Sequence, residues 1–215
     1  SRVFSFPFMR HRGMFIRVRS NLTIGTGAQV KYLLIHNNQV EGVRYRKGFR
    51  NLDAVARQEV IVCAGAVQTP QLLMLSGIGE AQELTRHGID VVHDLPGVGK
   101  NLQDHLDVCV QHHCLKPITL FSQTKFHNSI MTLMRYLMFR DGLGACNGLE
   151  AGAFVKSDPT LDRPDIQLHF IPAFMLDHAR EEGPGHGYML HACQLRPESR
   201  GYVTLNSSDP LAPPV

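Results

Sequence analysis

Two stretches of this chain carry residues whose types and spacing could do chemistry. In the first, His112 and His113 lie between Cys109 and Cys114. All four are metal-ligating types, but alternation along a strand sends His112 and His113 to opposite faces, so the spacing builds no tetrahedral set and no metal site is expected. In the second, the apolar run Glu59 to Ala64 meets Gly65 and continues to Thr69 and Pro70. A threonine cap followed by proline suits a helix from Gln71 to Ser76, closed by Gly77. A buried strand that passes through glycine into a helix start presents bare backbone amides, which suits an anionic or dinucleotide ligand. A purely structural β-turn-α unit has the same signature, and both readings stand at this point.

Other chemistry is excluded by what the sequence lacks. It has no GxGxxG, no GxxxxGK[ST], no HExxH and no GxSxG. Five cysteines, an odd number with no CxxC pair, argue against a disulfide framework and a zinc ribbon and favour a reducing compartment. The charge balance of 22 Lys and Arg against 19 Asp and Glu is nearly even, and basic residues concentrate only at Arg10, Arg12, Arg17 and Arg19. With five Tyr, eleven Phe and no Trp scattered through apolar runs, no nucleic-acid surface is expected. No apolar run reaches the ~18 residues of a membrane span, and the first residues do not read as a signal peptide. The expected location is cytoplasmic or peripheral to a membrane.

The elements that must position these residues follow from periodicity. Leu22 and Ile24, then Val30 to Ile35, read as strands, and His36-Asn37-Asn38 turns the chain into a second strand over Val40 to Tyr45. Glu59 to Ala64, nearly all apolar, reads as a strand covered on both faces. A short helix from Glu80 to His87 ends at Gly88, Ile89 to His93 is a small strand, and the turn formers of Asp94 to Asn101 mark a domain border. Beyond it come a strand from Leu106 to Leu115 and a helix over Asn128 to Arg140, whose Met131, Met134 and Met138 are expected to pack into a core. Strands follow at Ile166 to Ile171, Tyr188 to Leu195 and Gly201 to Leu205. At 215 residues the chain has ample apolar material for a core without a staple.

The stretch Gly65 to Gly79, GAVQTPQLLMLSGIG, resembles the second signature of the glucose-methanol-choline (GMC) flavoprotein oxidoreductases. Leu95 to His105, LPGVGKNLQDH, resembles the stretch that follows it in that family. The likeness extends upstream to Asn21 to Val30 and downstream to Arg163 to Phe170 and Arg196 to Leu205, so it covers nearly everything from Asn21 to Val215. Within the family it is nearest to choline dehydrogenases and the related aliphatic-alcohol dehydrogenases.

The fold that the resemblance implies is α/β and α+β. The end of a Rossmann-like FAD-binding domain, over residues 1–105, precedes a mostly antiparallel substrate-domain sheet with helices, over 106–215. The implied cofactor is FAD, and the implied reaction is oxidation of a small-molecule primary alcohol to the aldehyde by hydride transfer to the flavin. The electron acceptor is unknown. The family's FAD fingerprint and its catalytic His pair match nothing in this chain, so Val215 is expected to be a truncation and the chain alone to be inactive. Ser1 to Ser20 departs from the family pattern and reads as irregular. Carried over residue by residue, Val30 matches a position whose backbone contacts the FAD adenine, and Ala64 with Gly65 matches the strand end beside the cofactor. Asn101 and Asp104 lie in the stretch that passes near the flavin, with a cap or turn role equally open. His169 matches a substrate-binding histidine, Glu150 offers a carboxylate to a cationic substrate, and Phe174 an aromatic wall. Each has a plain structural alternative. A flavin oxidase that passes electrons to oxygen and a degenerate, non-catalytic fragment are the competing readings of the whole.

Overall fold

The computed structural model describes residues 2–5, 20–146, 148–149, 151–174 and 183–215. The chain divides into two compact units, Ser1–Leu102 with Arg200–Val215, and Gln103–Ser199. The expected division at 105/106 is a single cut, whereas here the chain returns to the first unit at Arg200. Backbone pairing is what brings it back, as described below.

In the first unit, β1 (Arg2–Ser5) pairs in parallel with β2 (Thr23–Thr26). Residues 2–5 are therefore ordered into a strand where the sequence reads as irregular. The central sheet is an antiparallel meander of β3 (Ala28–His36), β4 (Gln39–Lys47) and β5 (Arg50–Val55). Its first hairpin closes on Asn37 and Asn38, at φ of 48° and 59°, between the paired residues His36 and Gln39. Two consecutive left-handed residues make the turn whose twist matches the strands, and asparagine tolerates that conformation better than most side chains do. One face of the sheet buries Leu33, Val43 and Ala54, with Val30, Ile35, Tyr45, Val60, Val62, Leu72 and Leu73 packed around them.

Helix α1 (Gly65–Leu75) lies on this cluster, and its C-cap Ser76 accepts a hydrogen bond from the Leu33 amide at 2.8 Å. The helix starts six residues before the expected Gln71. Thr69 does satisfy an amide with its hydroxyl, but the donor is the Ala64 N–H, 3.2 Å away and upstream of the helix. Pro70 then sits inside the helix, where its missing N–H removes one i to i−4 bond. The expected strand Glu59 to Ala64 pairs with no other strand among the described residues. It alternates instead, Val60 and Val62 turning toward the sheet core while Glu59, Ile61 and Cys63 are exposed.

Gly77, at φ 82°, ends α1 as expected and leads to β6 (Ile78–Gly79), helix α2 (Ala81–Arg86) and β7 (His93–Asp94), which pairs in parallel with β6. Met74, Leu84 and Leu205 form a second core here with Leu75, Ile89 and Val98, so a residue from the chain's last stretch completes it. Strand β8 (Lys100–Leu102) accounts for the return, because it pairs with β13 (Gly201–Tyr202). Val203 donates to the Gly99 carbonyl at 2.7 Å, Thr204 and Val215 exchange two backbone bonds, and the Gln71 amide donates to the Ala212 carbonyl. The expected strand Gly201 to Leu205 is thus paired as a strand only over its first two residues.

The second unit is a four-stranded antiparallel sheet in the order β10, β11, β12, β9, made of β9 (Asp107–His113), β10 (Ala151–Val155), β11 (Ile166–Ile171) and β12 (Gly187–Gln194). Helices α3 (Phe121–Thr124) and α4 (Phe126–Phe139) precede β10. Helix α4 lies where the periodicity places it, but none of its residues is buried, and Met131, Met134 and Met138 are exposed. Among the described residues that face meets no core.

Candidate functional sites in the two units

In the first unit, Ala64 and Gly65, expected to lie beside a cofactor, form the start of α1. Ala64 is the N-cap residue, no side chain caps the helix, and its first turn holds no acidic residue. No carboxylate within the first turn therefore compensates the partial positive charge of the helix start. Gly65 has a φ of 84°, and a Cβ built on it would meet nothing within 4 Å. A bare backbone in left-handed conformation thus opens onto free space at the helix start, an arrangement suited to an anionic ligand. Val30 lies in β3 opposite Tyr45, beside a register shift, with its side chain packed on the Leu33 cluster. A ligand contact at Val30 is for that reason a backbone contact. Asn101 adopts a φ of 63° in β8, and Asp104 of the second unit accepts a hydrogen bond from the His105 amide at 2.9 Å.

In the second unit His169 occupies the middle of β11, directly opposite His191 of β12 and Gly152 of β10. It is half-buried. Asp107 and Cys193 form the neighbouring opposed pair on β9 and β12. Since His191 and Cys193 are two apart on one strand, the four side chains share a face of the sheet. They are also bonded to one another. His191 Nδ1 lies 2.6 Å from Asp107 Oδ2, the Cys193 thiol donates to Asp107 Oδ1 at 3.2 Å, and Cys193 Sγ is 3.9 Å from His169 Nδ1. His191 Nε2 is buried with no hydrogen-bond partner among the described residues.

The electrostatics assign the donors. Burial pushes the Asp107 carboxyl up, but the bonds from His191 and Cys193, with the charges of His191 and His169, outweigh it and leave the group below its ordinary value. Burial raises the Cys193 thiol, and the bond to Asp107 and its negative charge raise it further. An ionised carboxylate can only accept, so His191 Nδ1 carries a hydrogen and Cys193 keeps its own.

The histidine pair read as a possible metal cluster is split as strand alternation requires. His112 stacks on Tyr188 at 5.6 Å between ring centroids, whereas His113 meets the edge of Phe174 at 4.9 Å. Phe174, read as an aromatic wall for substrate, is thus half-buried against His113 and against Gly187, where a Cβ would strike its ring. Glu150 lies outside the described residues. Asp107, His191 and Cys193 escape the sequence reading, because Asp107 and His191 are 84 positions apart and only strand pairing joins them. The one local signal is the spacing of His191 and Cys193 on a strand.

A family model described as GMC oxidoreductase matches residues 14–107. The chain is 43% identical over 196 residues to an oxygen-dependent choline dehydrogenase of Photobacterium profundum, covering 91% of this chain and 34% of that protein. It is 42% identical over 200 residues to an alcohol dehydrogenase [acceptor] of Pseudomonas putida, covering 92% of this chain and 36% of that protein. The chain therefore spans about a third of the length of these relatives. Among solved structures it superposes on formate oxidase with a TM-score of 0.81 at 28% identity, over 93% of this chain and 40% of the other. Pyridoxine 4-oxidase from Mesorbium loti follows at 0.69 and 25%, over 94% and 36%.

Proposed function

The chain belongs to the GMC oxidoreductase family, and from that premise we propose that the whole protein oxidises a primary alcohol, choline or a short aliphatic alcohol, to its aldehyde. The observation that carries this reading is the identity of more than two-fifths, over nine-tenths of the chain, to proteins named for those two activities.

The family's cofactor is FAD, and the start of α1 fits it. A dinucleotide brings two phosphates and a close-lying backbone contact. The uncapped helix start, free of acidic residues, and the open, Cβ-free Gly65 offer both. Ala64, Gly65 and the backbone of Val30 are the residues of this chain that would hold it. When bound, FAD supplies the acceptor for the hydride of the carbinol carbon.

The chain's own part in the reaction is to hold and orient. His169 engages the alcohol hydroxyl through a ring nitrogen, fixing the carbinol carbon by a directional bond rather than removing the proton. Glu150 provides a carboxylate for a substrate that carries a positive charge. No residue of this chain is assigned the role of base.

The test is turnover by the whole protein with an artificial dye as acceptor, using choline and a neutral short alcohol in parallel. Aldehyde formation from either substrate is expected, and Glu150→Gln should raise KM for choline while leaving the neutral alcohol unchanged. Hydrogen peroxide formed in air without dye would favour the oxidase variant of the same chemistry. Turnover of neither alcohol under any acceptor would overturn the reading.

A further inference from the structure

We infer that Cys193 and Asp107 are positioning residues for His169, holding its Nδ1–H and so aiming Nε2 at the substrate hydroxyl. The inference rests on the proposed contact between His169 and the alcohol.

The path is short and runs across three adjacent strands. Asp107 on β9 uses both carboxylate oxygens, Oδ2 for His191 and Oδ1 for Cys193, so its orientation is fixed from two directions. The Cys193 thiol hydrogen is thereby committed to Asp107, and what the sulfur presents to His169 is a lone pair. At 3.9 Å a sulfur lone pair meets Nδ1 favourably only if Nδ1 bears the hydrogen. Cys193 is buried and His169, its diagonal neighbour on the adjacent strand, is half-buried, so the contact is partly withdrawn from competing water. A ring held through Nδ1 presents Nε2 to the alcohol hydroxyl at a fixed angle, and the carbinol carbon is oriented with it.

A residue buried only for packing would lower stability without acting through His169, and a double-mutant cycle separates the two cases. The full-length flavoprotein is compared as wild type, Cys193→Ala, Cys193→Ser, His169→Ala and the double variant Cys193→Ala with His169→Ala. Bound flavin sets the enzyme concentration, and kcat and KM are measured with choline and with a neutral short alcohol. Cys193→Ala is expected to lower kcat/KM by roughly three- to tenfold, the size of one neutral hydrogen bond. Serine, which retains a donor and a lone pair, should restore most of the loss. On the His169→Ala background, Cys193→Ala should cost nothing more. Asp107→Asn, at an exposed carboxylate, gives the same reading if Cys193→Ala does not fold, with a loss that His169→Ala again abolishes.

Equal losses with and without His169 would overturn the inference, as would a Cys193→Ala enzyme indistinguishable from wild type while His169→Ala is impaired. An unimpaired His169→Ala would remove the substrate contact itself, and the positioning role would fall with it.

Discussion

Gly65 shows at a single position how backbone freedom and ligand access are joined. Its φ of 84° disfavours any side chain, yet a Cβ there would meet nothing within 4 Å among the described residues. Any substituent meets the conformational penalty, on the order of 1–3 kcal/mol, but only a large one also fills the space before the helix start. Gly65→Ala and Gly65→Leu, neither branched at Cβ, should therefore lower the thermal midpoint of the full-length protein by similar amounts, whereas Leu should lose much more bound flavin than Ala. Equal flavin content in both would show that the position serves the chain's geometry and not the cofactor. The motif around Gly65 is legible in the sequence because strand, glycine and helix adjoin. His169 is legible only through family likeness, and its neighbours Asp107, His191 and Cys193 are not legible at all. Their meeting is created by the register of β9, β11 and β12, which no local spacing encodes.

At the scale of elements, the hairpin between β10 and β11 is tied at its base by Asp165, which accepts from the Ser157 amide at 2.7 Å and from the Ser157 hydroxyl at 2.6 Å. The Ser157 hydroxyl bond is the largest influence holding the Asp165 carboxyl below its ordinary value. A carboxylate depressed in the folded state favours folding above its unfolded value, about 3.9, and that contribution is lost as pH falls through the lower folded value. The thermal midpoint of wild type minus that of Asp165→Asn should be constant from about pH 7 to 5 and shrink below about pH 4. Parallel curves down to acid would refute the role. Where elements are made by local chemistry, the sequence foretells them well. The Asn37-Asn38 turn, the stops at Gly77 and Gly88 and the strand Ile166–Ile171 all fall where residue types place them. Where a neighbour decides, periodicity misleads. Among the described residues, Glu59 to Ala64 has the composition of a central strand but no ladder partner, and α4 has an apolar stripe that meets no core. The start of α1 is misplaced for a different reason, since the threonine hydroxyl that marks a cap is used to hold Ala64 instead.

At the scale of the whole molecule, the two units carry different features. The first offers a helix start and open backbone suited to a dinucleotide, and the second a sheet face that carries an interlocked set of titratable side chains around His169. The second unit is inserted in sequence between Leu102 and Arg200, and the chain's last stretch completes the first unit's core through Leu205. The whole protein is proposed to use FAD to take a hydride from an alcohol. Mixing the full-length, flavin-loaded protein with choline or a short primary alcohol in the absence of oxygen tests it most directly. Loss of the oxidised-flavin absorbance, with aldehyde formed in proportion to flavin, is the predicted result. A flavin that stays oxidised at saturating concentrations of both alcohols, in a protein that retains its cofactor, would contradict the account.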